Sequence, residues 1–397
     1  MTDLAEHFAA AGDNVTVVAS RARYGETGLL PPREILAGVS IVRCWTPASR
    51  LGMVGRIAAY IAYYLSAFWH ALRLAGPDAI VVVKTDPPLL SVVVGLAVRA
   101  RGGRLVQWVQ DLYPEIASAY GMTAADNRAL RAIRNWSFHR ADRLVVIGGL
   151  MAARVAAMGI PHDRITVIAN WSDDIDITPA ATRSPTLRAE WGIDAEAFVL
   201  EYSGNLGRAH EYDTLLSAAE RLRHRAEIIF LFIGGGHMSE ELSAEVGARG
   251  LTNFRFVSYQ PRTRLSESLG LGDAHWISLR PAFEGLVVPS KVFGICAAAR
   301  PIIAVCDPTG ELPRLLPPGT ACLSVAPGDG VGLADAIEML AANPARGAAI
   351  GQAARALLDR NYRKEHAFAR WHAVFESLAA DRAPQVPGPR AVDRDQA

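Results

Sequence analysis

Three stretches of this 397-residue chain carry residue types that could hold or move an anionic group. The first is Glu201-Tyr-Ser-Gly-Asn-Leu-Gly-Arg-Ala-His210. A strand over Phe198–Tyr202 runs into Ser203–Arg208, and a helix begins near Tyr212. Gly204 and Gly207 let backbone N–H groups come close to a ligand, and the helix N-terminus that follows favours negative charge. Arg208 adds a planar fork for phosphate oxygens. Those are the parts of a diphosphate cradle; an ordinary strand-to-helix turn with a surface Arg carries the same residues. The second stretch runs from Arg280 to Lys291 (RPAFEGLVVPSK), after a strand at His275–Ser278 and into a helix starting near Pro289. Pro289 and Ser290 suit a first helical turn. Lys291 does not, because a cation there opposes the helix dipole unless an anion is present. Glu284 lies at the carboxyl end of a strand, where open α/β sheets bind ligands. It is placed to accept from ribose hydroxyls, or is a solvated loop carboxylate.

The third stretch is Trp108-Val-Gln-Asp-Leu-Tyr-Pro-Glu115. Asp111 and Glu115 follow a strand at Leu105–Val109 and could orient an acceptor hydroxyl or act as base; Asp111 could equally cap a helix near Pro114. Gly234-Gly-Gly236-His237 only partly matches a dinucleotide turn, lacking the third spaced Gly and the downstream acid, which argues against a nicotinamide cofactor. Asp174-Ile-Asp176 has the form of a metal-binding DxD but falls in a linker. No HExxH, GxSxG or Walker A pattern is present.

The elements that must position these residues alternate along the chain. Short apolar strands are expected at 15–19, 79–83, 105–109, 144–147 and 165–168, and again at 198–202, 228–233, 254–257, 275–278 and 302–305. They are largely unalternating, as parallel strands covered on both faces are. Helical stretches such as Tyr212–Arg223 and Ala334–Ala342 lie between them. Two doubly wound α/β domains follow, with a break near Asp173–Pro185. The chain opens on a helix (Leu4–Ala11), without the strand and Gly-rich turn that normally begin such a domain; either the start lies upstream or the domain lacks its first strand. Residues 382–397, rich in Pro and charge, read as a disordered tail.

Composition bounds the function. Half the residues are apolar, so the chain can bury real cores. Forty-one basic residues face 40 acidic ones, which leaves no strong field for nucleic acid or an anionic membrane. Four scattered cysteines without a CxxC pair argue against a disulfide framework and a structural zinc site. With no apolar leader at the N-terminus, a cytoplasmic location is expected. Ile57–Leu72 carries no Asp, Glu, Lys or Arg and five aromatic residues. It is shorter than a membrane span needs, and reads either as a buried helix or as one lying in a membrane interface near a lipid-linked acceptor.

Taken together, GNLGRAHEYDTLL, FLFIGGG, NFRFVSYQPRTRL and DAHWISLRPAFEGLVVPSKVFGICAAARP through GEL resemble the nucleotide-sugar domain of glycosyltransferase family 4. The similarity is greatest to the bacterial colanic acid, exopolysaccharide and O-antigen branch. LAEHFAAAGDNVTVVASRARY, KTDPPLL, VQDLYPE and VIANWSD extend it over residues 3–375. The resemblance implies a GT-B fold: an acceptor-side domain (1–178), a nucleotide-sugar domain (179–365) and a helix (366–381) crossing back to the first. It implies a retaining, metal-independent transfer from a nucleotide-diphosphate sugar to a glycan or polyprenyl-linked acceptor, with no cofactor. Arg208, Lys291 and Asp111 are the expected catalytic residues. Gly204, Asn205, Gly207, Arg208, Gly235, Glu284, Gly285, Ser290 and Lys291 are the expected donor contacts, Glu284 matching the first Glu of the family's pair. Where many members carry the second Glu, this chain has Gly294. The usual Arg and Lys of the phosphate loop correspond to Asn205 and His210, with Arg208 a substitute. These departures leave a non-catalytic or truncated remnant that binds nucleotide, or a partner transferase, as the alternative.

Overall fold

The structure of the protein, a computed structural model, describes residues 1–22, 29–46, 52–122, 127–172, 176–179 and 184–381. The proposed tail and Asp174 of the DxD lie outside them.

The first domain runs α1 (Thr2–Ala10), β1 (Thr16–Ser20), β2 (Arg33–Leu36), β3 (Val39–Cys44), α2 (Gly52–Leu74), β4 (Ile80–Lys84), α3 (Leu90–Ala100), β5 (Arg104–Val109), α4 (Glu115–Ala119), α5 (Arg128–Arg140), β6 (Arg143–Val146), α6 (Gly149–Ala156) and β7 (Ile165–Val167). Its strands form two sheets. β1 pairs parallel with β3 and β2 antiparallel with β3, while β4-β5-β6-β7 is wholly parallel. Among the described residues no ladder joins the two sheets and no strand precedes α1. β4 is therefore an edge and only half-buried, whereas β5 and β6, covered on both faces, are buried along nearly their whole length.

The second domain runs α7 (Pro185–Glu190), β8 (Phe198–Asn205), α8 (Asp213–Arg221), β9 (Ile228–Gly235), α9 (Ser239–Ala248), β10 (Phe254–Val257), α10 (Leu265–Leu269), β11 (Ala274–Ser278), α11 (Lys291–Ala297), β12 (Ile302–Val305), α12 (Glu311–Leu315), β13 (Leu323–Val325), α13 (Gly330–Ala342), α14 (Pro344–Leu357) and α15 (Lys364–Ala380). Its parallel sheet has the order β10-β9-β8-β11-β12-β13. The chain winds outward from β8 to β10 and then returns to the other side of β8 at β11. The reversal opens a crevice beyond the carboxyl ends of β8 and β11, where sheets of this type bind ligands. The two loops singled out by their chemistry leave from those two strands.

The helix expected from Pro289 begins at Lys291; Ser290 holds the N-cap position but makes no side-chain capping bond. α15 returns to the first domain. Trp371 packs edge-on against Trp108, Phe375 against Phe8, and Arg370 donates to the Val167 carbonyl at 2.9 Å. One apolar cluster, from Leu4 through Phe293 to Trp371, runs through both domains.

Helix α2 matches neither of its two expectations in full. Ala67 and Ala71 are buried, and Tyr63, Tyr64, Phe68 and Leu72 pack half-buried on the core. Ile57, Ile61, Leu65 and Trp69, spaced by four residues, are exposed, Leu65 at 66%. Such spacing draws one stripe along a helix. Among the described residues no helix is long and apolar enough to cross a membrane.

Candidate active site

The centre of the crevice is Lys291, the first residue of α11. Its ammonium donates to the Tyr202 hydroxyl (2.5 Å), the Asn205 carbonyl (2.8 Å) and His210 Nε2 (3.2 Å), and lies 4.6 Å from the centroid of the Tyr202 ring. Gly204 makes room for it. Its φ is +123°, and a Cβ there would stand 2.6 Å from Lys291 Cε. Burial lowers the Lys291 pKa to about 8. The conflict between a cation and a helix N-terminus is thus met by protein acceptors at Lys291.

The Gly-rich turns of β8 and β9 interlock. Gly204 stands beside Gly234 and Asn205 beside Gly235 in the ladder. Leu206 N–H donates to Gly235 O at 2.7 Å, and a side chain on Gly234 or Gly236 would run into the backbone of Gly204 or Leu206. Tyr259, 60% exposed, lies over Gly234 and Gly235. A cavity of about 160 Å³ opens beside these turns, lined by Tyr202, Gly204, Leu206, Phe232, Gly235 and Phe256 among others. The Gly234–Gly236 turn, which holds the expected donor contact Gly235, thus lies against the Gly204 turn.

His210 is stitched to the end of β11. Its Nδ1–H donates to Ser278 O (2.8 Å), Glu211 N–H donates to Ser278 Oγ (3.0 Å), and Arg280 Nε–H donates to His210 O (2.9 Å). A carbonyl only accepts, so Nδ1 carries the ring proton and Nε2 is free to accept from Lys291. Burial, with the Lys291 charge next, pushes the His210 pKa down to about 3.

Arg208 is exposed, near Tyr120 of the first domain, whose hydroxyl pKa is raised by burial and then Asp111, with Arg208 opposing. Gly207 has ordinary room, its nearest neighbour being Asn205 Nδ2 at 3.6 Å, and Ser290 is exposed. Asn205 serves through its carbonyl, which also receives Tyr202 O–H (2.7 Å) and Gly207 N–H (3.1 Å).

Glu284 is buried behind these groups. Its Oε2 accepts from Glu311 N–H at 3.0 Å; Oε1 is buried without a hydrogen-bond partner. Burial first, then the neighbouring Asp307 and Glu311, raise its pKa. Gly285 has φ +70°, and a Cβ there would meet Arg154 of α6 at 2.7 Å. The Glu311 carboxylate crosses to the first domain and accepts from Gly149 N–H and Leu150 N–H, both at 2.8 Å.

Asp111 stands on the other wall. Leu112 N–H donates to Leu286 O (3.0 Å), bringing Asp111 beside the Glu284 loop. Burial, then Asp86, raises the Asp111 pKa, with Lys84 opposing. Asp111 does not cap α4: the N-cap is Pro114, and no side chain caps it. Glu115 pairs through both oxygens with Arg134 (2.6 and 3.0 Å) and serves structure rather than an acceptor. At Gly294 a Cβ would face Leu269, Ser172 and Ile177 at 3.5–3.9 Å, so residues of the interdomain segment border the place of the family's second Glu.

A strand-order reversal with a lysine, two glycine turns and a carboxylate near it, faced by a second α/β domain, is the two-domain arrangement of the GT-B class. A family model for a glycosyl transferase 4-like domain matches residues 1–171, and one for glycosyl transferases group 1 matches residues 197–343. The chain belongs to the glycosyltransferases built from these two domains. It is 26% identical over 329 residues, 81% of each chain, to WbjE of Pseudomonas aeruginosa, assigned as a glycosyltransferase. It is 25% identical over 264 residues, 64% of each chain, to WcaI of Escherichia coli K12, assigned as a colanic acid biosynthesis glycosyl transferase. The fold is shared with sucrose-phosphate synthase of Thermosynechococcus elongatus (TM-score 0.76, 17% identity, covering 96% of this chain and 92% of that one). It is shared too with Anabaena HepE, solved with UDP and glucose (TM-score 0.67, 16% identity, 86% of each). The protein is a glycosyltransferase of polysaccharide biosynthesis.

Proposed function

We propose that the protein moves a hexose, with retention and without a metal, from a nucleotide-diphosphate sugar to a glycan or polyprenyl-linked acceptor of a surface polysaccharide. The observation that carries this reading is the Lys291 ammonium held at the Gly204 turn, where a diphosphate would lie. Lys291 and the exposed Arg208 offset charge on the leaving diphosphate. Retention follows if the acceptor attacks the face that the diphosphate leaves, through a short-lived oxocarbenium-like pair. The leaving phosphate oxygen then takes the acceptor proton, and Asp111 orients the acceptor hydroxyl from the opposite wall. Glu284 holds donor hydroxyls. The UDP and UDP-glucose held by Anabaena HepE make uridine donors the first to try. The exposed α2 stripe supports a peripheral seat on the cytoplasmic face of the inner membrane, close to a lipid-linked acceptor.

Thermal shifts with a panel of UDP-, GDP- and TDP-sugars test the donor site, and the anomeric proton of the product, read by NMR with chelator present, tests retention and metal independence. A shift with one donor and a product of unchanged anomeric configuration is expected. An inverted product, or transfer abolished by chelator, overturns the mechanism.

A further inference from the structure

Lys291 has three N–H donors, and each has a protein acceptor: Tyr202 Oη, Asn205 O and His210 Nε2. Nothing is left over for a phosphate oxygen, so a donor must take the place of one of the three. The two oxygen acceptors sit at 2.5 and 2.8 Å and are themselves linked, Tyr202 O–H donating to Asn205 O at 2.7 Å. His210 is the longest contact, at 3.2 Å, and its ring is held independently of Lys291 through Nδ1–H to Ser278 O. His210 is only 8% exposed and packs edge-on against Tyr202, with ring centroids 5.5 Å apart. Its orientation is therefore fixed from both sides, while its Nε2 lone pair points at the ammonium.

We propose that His210 is a positioning residue for the transfer: it holds the Lys291 ammonium at the phosphate turn in the donor-free protein, as the acceptor that a diphosphate oxygen replaces. This rests on the donor reading of the crevice given above. The role suits a neutral imidazole and excludes an imidazolium, which would carry a second N–H against the ammonium. Burial and the Lys291 charge hold the ring neutral at working pH. The charged or titratable groups that bear on the pair are Tyr202 on β8, which accepts from the ammonium, and Arg280 after β11, whose guanidinium reaches the His210 carbonyl; the Glu211 carboxylate is turned to the Thr214 N–H.

The test is UDP binding to the full chain from pH 6.5 to 9.5 by titration calorimetry. In the unsubstituted protein the affinity falls as pH rises through the Lys291 range near 8. His210→Phe keeps the ring and the burial but offers no acceptor. Its binding at pH 6.5 tightens about tenfold, because the diphosphate no longer has an acceptor to displace, and its alkaline midpoint moves down by about one unit, the scale of one hydrogen bond to a charged group. His210→Gln, whose amide oxygen can accept from Lys291, keeps its midpoint near that of the parent. An unchanged midpoint in His210→Phe, or equal shifts in both variants, overturns the proposal. If His210→Phe does not fold, the ¹⁵N shifts of the parent imidazole decide: a protonated Nδ1 and an unprotonated Nε2 support the proposal, and a proton on Nε2 overturns it. That reading needs no nucleotide, so failure of the parent chain to bind UDP would count against the donor reading alone.

Discussion

Glu311 of the second domain caps a helix that begins at Gly149 of the first. Gly148, at the N-cap of α6, has no side chain to accept from the helix's first N–H groups, and the Glu311 carboxylate takes that place from the other domain. There would be no room for both: a Cβ on Gly148 would stand 2.7 Å from the Glu311 carboxyl carbon. The same residue's backbone N–H holds Glu284. One residue thus ties the contact between the domains to the orientation of the buried Glu284 carboxylate.

Glu311→Ala leaves two part-buried N–H groups at the start of α6 without an acceptor. A loss of about 2–3 kcal/mol is expected, read by calorimetry as a lower melting temperature and a splitting of the domain transitions. Glu311→Gln is expected to lose nearly as much, because its NH₂ would meet one of the same donors. A single transition unchanged in temperature would show that the cap contributes nothing.

Lys291→Ala should lower turnover roughly 10²–10³-fold, with Arg208→Ala in the same range, through charge lost at the leaving diphosphate. The pH dependence has a definite sign. Lys291 offers its charge only while protonated, so nucleotide affinity is highest below about pH 8 and falls as pH rises through that value. Binding constants across pH 7–9.5 check this; an affinity that rises or stays level there would remove Lys291 from the phosphate site.

Gly204→Ala and Gly207→Ala make a matched pair. The first forces a Cβ into a backbone at φ +123° and to within 2.6 Å of Lys291 Cε. The second meets only Asn205 Nδ2 at an ordinary 3.6 Å. Gly204→Ala should displace Lys291 and weaken UDP binding about tenfold or more, on the scale of 1–3 kcal/mol of backbone strain. Gly207→Ala should stay within a factor of a few. Calorimetric titration of both variants decides.

Replacing Ile61 and Leu65 together by Glu should abolish co-sedimentation with anionic liposomes and leave nucleotide binding intact, since both side chains are exposed and far from the crevice in sequence and element. Co-sedimentation equal to the parent's would exclude α2 as the contact.

Much of the site was legible because it is local. The turn Ser203–Arg208 and the Pro289-Ser-Lys291 start of a helix each declare themselves within a few residues, and strand alternation placed both at sheet ends. What was not legible depends on partners distant in the chain. The tautomer of His210 is set by Ser278, 68 positions away. The role of Glu311 depends on amides 161 and 162 positions away. Glu115 reads as chemistry beside Asp111 until Arg134 is seen to claim it. Sixteen residues without charge in Ile57–Leu72 indicate apolar surroundings, but only the packing of Ala67 and Ala71 shows which side of α2 is inside.

The return of α15 bears on how the chain is made. Trp108, Trp171 and Phe8, all in the first domain, are covered by Trp371, Phe368 and Phe375 from the last described helix. A ribosome delivers these partners hundreds of residues apart in time. The sheet of the second domain, whose strands all lie between Phe198 and Val325, can assemble while the first still lacks the helix that covers these rings. The core of the first domain is thus completed only by a helix made after the whole sheet of the second.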